Sequence, residues 1–219
     1  KDATELYLMG DIFDFWFEYH RVVPRGFTRV LARLAELSAR GVRVVLFTGN
    51  HDMWCYDYLA QECGVEIVRN PRVVEFDGVK VHLAHGDNLN ISGQPMLKLM
   101  NTIFRSGVAR TLFSWLVHPD LALKFGLWWS GKSRKSHNKT LMGVDNLRPL
   151  VEYAREHNLK NGDVEHYIFG HMHLPHYLRE ERFEILFLGD WCGAEAVYAT
   201  MDDDNNLKLN TFAIDETVS

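Results

Sequence analysis

Apolar residues in this chain come in short runs, and most runs stop at a small polar cluster. Leu6-Tyr7-Leu8-Met9 reads as a buried strand ending at Gly10-Asp11. Residues 42–47 are a β-branched apolar run, hence a second buried strand, ending at Thr48-Gly49-Asn50-His51-Asp52. Residues 73–76 and 79–84 flank Asp77-Gly78, a two-residue hairpin signal, and the second strand ends at His85-Gly86-Asp87. Residues 167–169 form a strand ending at Gly170-His171-Met172-His173. Strand-like runs follow at 183–188, 196–201 and 207–212. Helical spacing links Phe27, Val30, Leu31, Leu34 and Leu37 ahead of Gly41, and helices are expected at 54–63 and 146–157. Strands alternating with helices, then a run of strands, predict a layered α/β fold with two packed sheets.

Four of these strands thus end in Gly accompanied by Asp, Asn or His. Ligands of open α/β sheets bind beyond the carboxyl ends of the strands, where Gly lets the backbone turn and short polar side chains converge. Taken as donors, Asp11 offers a carboxylate, Asn50 an amide oxygen, and His51, His85, His171 and His173 imidazoles. That mixture suits Mn, Fe or Zn rather than a thiolate zinc site. It is too many donors for one ion and fits two ions about 3.5–4 Å apart, as in two-metal hydrolases.

Composition narrows the setting. The chain has 219 residues, 47% of them apolar and 24% charged, the balance of one globular domain with one sizeable insertion. Three scattered Cys without a CxxC argue against a disulfide scaffold and favour a reducing compartment, hence a cytoplasmic protein. A net charge of −5 argues against a nucleic-acid partner. No apolar run reaches the roughly 18–20 residues of a membrane span.

Residues 89–144 stand apart. Eight Lys and Arg against the single acid Asp120 make this stretch +7 and leave −12 for the rest of the chain. It also holds Trp115, Trp128 and Trp129, three of the six Trp. A basic, aromatic-rich amphipathic segment inside an acidic protein suits an anionic apolar partner, such as a membrane surface or a phospholipid-like substrate. A helical subdomain packing its own core is the plainer alternative.

Gly10-Asp11, Gly49-Asn50-His51-Asp52, His85-Gly86-Asp87 and Gly170-His171-Met172-His173, in this order, resemble the calcineurin-like metallophosphoesterases. Singly each cluster is an ordinary turn; the set in order, each at a strand end, is the signal. The run Gly10-Asp11-Ile12-Phe13-Asp14-Phe15-Trp16, the Leu188-Gly189-Asp190-Trp191 segment and the long insertion resemble, more narrowly, the UDP-2,3-diacylglucosamine pyrophosphohydrolases of lipid A biosynthesis. The resemblance implies a four-layer αββα sandwich, with a core of residues 1–88 and 145–219 and a helical lid over 89–144. It implies two divalent ions, Mn the expected identity. Asp11 would bridge them, Asn50, His85 and His171 would complete one, and His173 would serve the other. His51 would stabilise charge on the phosphoryl group or protonate the leaving oxygen, with Asp52 orienting it. The family carries an Asp-x-His motif about thirty residues before the position of Asp11. Nine residues of this chain precede Gly10-Asp11 and Lys1 is not Met, so either the first strand and that motif lie upstream or the chain builds only one of the two metal sites.

The function implied is hydrolysis of the pyrophosphate bond of UDP-2,3-diacylglucosamine, an anionic lipid-linked nucleotide sugar. Arg134, Lys135 and Lys139 are expected to meet its phosphates or uridine. Contact with the cytoplasmic face of the inner membrane is expected with such a substrate. Two alternatives stand at this point: a soluble phosphoesterase acting on a nucleotide or phosphoprotein, and a non-catalytic interaction module on the same fold.

Overall fold

The computed structural model describes residues 3–89, 95–139, 143–193 and 195–213, and their side chains except those of residues 97, 100 and 132–139. The chain divides into two compact units, Lys1–Asn70 with Ile91–Leu141, and Pro71–Asn90 with Met142–Ser219.

The first unit is built on three parallel strands in the order β1 (Glu5–Leu8), β2 (Arg43–Phe47), β3 (Val65–Val68). Parallel pairing sets the carboxyl ends of β1 and β2 side by side, so Gly10-Asp11 and the 48–52 cluster leave the sheet as neighbours. Helices α1 (Thr28–Ala39) and α2 (Tyr58–Cys63) complete the crossovers. Their apolar faces, through Leu34, Leu59 and Cys63, join Phe13, Trp16, Val44, Leu46 and Val65 in one buried core. Gly64 ends α2 in the left-handed conformation (φ 67°), where a Cβ would sit 2.1 Å from the Ser38 hydroxyl. Three helices of the insertion belong to the same unit: α3 (Pro95–Arg105), α4 (Gly107–Leu116) and α5 (Pro119–Lys139).

The second unit holds a five-stranded sheet in the order β4-β5-β6-β8-β7. Its strands are β4 (Arg72–Phe76), β5 (Val79–Ala84), β6 (His166–Phe169), β7 (His176–Arg179) and β8 (Glu184–Phe187). β5, β6 and β8 run parallel in the middle, and β4 and β7 are antiparallel edges. Helix α6 (Arg148–Asn161) lays Leu150, Val151 and Ala154 against Tyr167, Phe169, Ile185 and Phe187. A hairpin of β9 (Glu195–Met201) and β10 (Leu207–Ala213) forms its own two-stranded sheet.

Three expectations change. The helix expected over 54–63 begins only at Tyr58, because Trp54 is drawn into a parallel β-bridge with Phe17. The helix expected over 146–157 starts as a 3₁₀ turn, Val144–Leu147, and continues as α6 to Asn161, where Gly162 (φ 65°) stops it. Strands β3 and β7 are additions; both are four residues long and lie at sheet edges, where a short run carries little apolar signal.

Candidate metal centre

At the end of β1 the backbone turns through two consecutive left-handed residues, Gly10 (φ 91°) and Asp11 (φ 53°). For a non-glycine residue such a conformation is held only by its surroundings. The Asp11 carboxylate is anchored there, its Oδ1 accepting the His51 backbone N–H at 2.8 Å. The His51 ring stands beside it, Nε2 4.0 Å from Asp11 Oδ2. The other ring nitrogen, Nδ1, is 3.1 Å from the Asp14 carbonyl oxygen. A carbonyl can only accept, so Nδ1 carries the hydrogen and Nε2 is the atom left for chemistry.

Asp52 does something other than expected. Its carboxylate is fully buried and accepts the backbone N–H groups of Gly49 (2.6 Å) and Ile12 (2.8 Å). It therefore clamps the exits of β1 and β2 together, while the partner of the His51 ring is the Asp14 carbonyl. Asn50, half-buried, lies between these anchors.

The second unit presents its donors in the same way. The three parallel strands β5, β6 and β8 end in His85, in Gly170-His171 and in the Leu188-Gly189-Asp190 segment. The His85 carbonyl accepts both the Gly170 and the His171 N–H, at 3.0 and 2.8 Å, which brings the two rings face to edge. His85 Nε2 and His171 Nδ1 are 3.2 Å apart. His173 Nδ1 meets Asp190 Oδ2 at 2.7 Å, and Asp190 Oδ1 accepts the Cys192 N–H at 3.1 Å. Gly86 has φ 117°, and a Cβ there would press within 3.2 Å of Leu150 and 3.4 Å of the His171 Cβ.

Residues 2–175 match the family model described as calcineurin-like phosphoesterase. The chain belongs to the calcineurin-like phosphoesterases. It is also 41% identical over 204 residues to a UDP-2,3-diacylglucosamine hydrolase of Porphyromonas gingivalis, covering 87% of this chain and 77% of that protein. Proteins of the same name from Pseudomonas fluorescens and Histophilus somni are 27% and 26% identical; the alignments cover 97% and 89% of this chain and 84% and 80% of theirs.

Membership of the calcineurin-like phosphoesterases makes the chain a metal-dependent hydrolase of phosphoric ester or anhydride bonds. The donor set fits a divalent ion. His85 Nε2 and His171 Nδ1, 3.2 Å apart, are close enough that one cation would take both as ligands. His173 has its Nδ1 on a carboxylate and its Nε2 unspent by that bond, the usual setting of a metal-bound imidazole. Asp190 is the residue missed by reading the sequence for site residues; its signal was the strand–Gly–Asp pattern that singled out the other clusters.

Arg134, Lys135 and Lys139 lie in the last two turns of α5, and their side chains are outside the described ones. The insertion's helices lie against the His51 loop within the first unit. Gly126 of α5 packs on the Phe15 ring, and a Cβ there would meet that ring at 2.3 Å. Among the described residues, no helix is long and apolar enough to cross a membrane.

Proposed function

We propose that this phosphoesterase hydrolyses the pyrophosphate bond of UDP-2,3-diacylglucosamine, giving UMP and 2,3-diacylglucosamine 1-phosphate. The observation that carries this reading is the face of the insertion helices. Val108, Leu112, Trp115 and Leu116 recur at helical spacing on α4 and are all exposed, Trp115 at 85%. A phosphoesterase for small polar substrates has no use for so much exposed apolar surface, whereas one for acyl chains does. The relatives' names support the same substrate.

In this reading Asp11, Asn50, His85, His171 and His173 hold two divalent ions, Mn the expected identity. Such ions clamp phosphoryl oxygens and lower the pKa of a water. His51 turns Nε2 toward the phosphoryl group. Its leaving group is itself a phosphate, which needs little protonation, so His51 acts mainly by stabilising charge. Asp52 and Asp190 hold the loops and the His173 ring in place. Residues 89–144 serve as the lid on a core of 1–88 and 145–219, with Arg134, Lys135 and Lys139 on the phosphates or uridine. The basic apolar lid also brings the protein to the cytoplasmic face of the inner membrane.

The test is turnover of UDP-2,3-diacylglucosamine by the full-length protein with Mn, set against bis(p-nitrophenyl) phosphate. UMP should appear with a kcat/KM at least about a hundredfold above that for the diester. Diester hydrolysis without UMP release would leave a phosphoesterase of another substrate. Hydrolysis of neither would leave a non-catalytic module.

A further inference from the structure

The segment from Asp14 to Tyr19 bends at Asp14 and Phe15 and pairs through a single bridge at Phe17, and its side chains divide between the core and the insertion. Trp16 and Glu18 face the core: Trp16 is fully buried, its indole N–H donates to Glu18 Oε1 at 3.0 Å, and Glu18 Oε2 accepts the N–H of Asp57 and Tyr58. Odd-numbered residues face the insertion. Phe15 lies against Gly126 of α5, the Phe17 ring is 5.0 Å from that of Phe113 in α4, and the Tyr19 hydroxyl donates to the Val117 carbonyl at 2.9 Å.

This segment also runs alongside the His51 loop. Trp16 N–H donates to the His51 carbonyl (2.9 Å), Glu18 N–H to the Trp54 carbonyl (3.2 Å), and Phe17 bridges Trp54. Trp54 adds a third tie to the insertion, its indole N–H donating to the Phe104 carbonyl at the end of α3 (2.9 Å). Above all, the Asp14 carbonyl receives the His51 ring.

We propose that residues 14–19 are a positioning strap, through which the seating of the insertion helices on Phe15, Phe17 and Tyr19 sets the His51 ring. The inference rests on the reading that His51 faces the phosphoryl group. All three insertion helices grip this strap and Trp54. Close-packed rings transmit a displacement rather than absorb it. A shift of Phe15 or Phe17 therefore moves the Asp14 carbonyl and with it the ring it holds. Misplacing a reacting group by about 1 Å costs up to about a hundredfold in rate. The insertion thus acts on turnover as well as on substrate binding.

The experiment uses bis(p-nitrophenyl) phosphate, too small to need the acyl-binding surface, and the Mn-loaded full-length protein. Gly126→Ala places a methyl into the Phe15 ring. The strap predicts about a tenfold fall in kcat with KM and Mn content unchanged, and recovery when Phe15→Leu is added to make room. In a His51→Gln background Gly126→Ala should cost nothing further, because the group it displaces is gone. Tyr19→Phe, which removes only one hydroxyl, is the milder variant in case Gly126→Ala fails to fold, and should show the same non-additivity. Unchanged diester kcat in folded Gly126→Ala and Tyr19→Phe, or losses that multiply with that of His51→Gln, would overturn the strap. Failure on UDP-2,3-diacylglucosamine alone would overturn the substrate reading and leave the strap standing.

Discussion

His51 in the first unit and His173 in the second are steered by different means, and mutation should separate them. His51 is held through Nδ1 by a backbone carbonyl, so replacing its side chain leaves the loop's backbone anchors intact. His51→Gln is expected to lower turnover by about 10²–10⁴ while Mn content stays near that of the parent. His173 is held by the Asp190 carboxylate, which fixes the tautomer and the orientation of the ring. Asp190→Asn should therefore weaken Mn binding by about 10–100-fold, and added Mn should restore most of the activity. Metal titration followed by assay at saturating Mn checks both. Equal loss of Mn in the two variants would show that His51 is a ligand instead.

At the scale of elements, the second unit carries a buried polar seam between its sheet and α6. His82 on β5 is stacked on Tyr167 of β6, lies 4.8 Å from the His157 ring, and places Nε2 3.1 Å from the Tyr153 hydroxyl. His157 Nδ1 in turn meets the Tyr167 hydroxyl at 2.9 Å. Burial first, and the neighbouring His157 second, push His82 down to about 4. Burial lowers His157 as well. The unfolded chain therefore takes up the His82 proton below about pH 6.5 while the folded one refuses it until about pH 4. Stability is at its full value above pH 6.5 and falls by about 3 kcal/mol as the pH drops toward 4, with no further loss from this group below that. Urea unfolding at pH 7 and pH 4.5 reads this out. His82→Phe should flatten the slope; an unaltered slope would place its origin elsewhere.

Across the whole molecule the charge is uneven, +7 in residues 89–144 and −12 elsewhere. The basic part is also where large apolar side chains stand exposed, Trp115 and Leu116 above the rest at 85% and 80%. An anionic membrane suits both properties, through counterion attraction and burial of rings and methyls at the headgroup boundary. Cosedimentation with vesicles of phosphatidylglycerol should be stronger than with phosphatidylcholine and should fall with added salt. Trp115→Ser with Leu116→Ser should cut vesicle binding about tenfold or more, given about 1.5–3 kcal/mol for burying one large apolar side chain. Diester hydrolysis should be unaffected. Binding indifferent to lipid charge and to both substitutions would remove the membrane from the picture.

The amino-acid sequence alone determined the strands and the chemical types that end them. A buried strand needs an apolar run, its exit needs Gly or a short polar residue, and the donors lie within four residues of a strand end. The places of Asp11, Asn50, His85, His171 and His173 at strand ends were legible for that reason, and so was the hairpin at Asp77-Gly78. The helical insertion was legible in its charge and aromatics. Partners far apart in the chain were not. Asp14 and His51 are 37 residues apart, Tyr19 and Val117 98 apart, and both contacts end on backbone carbonyls that any residue type supplies equally. The true employment of Asp52, the grip of Asp190 on His173 and the late start of α2 were likewise decided by packing. Local pattern states which groups a strand end carries; only the folded backbone states which of them touch.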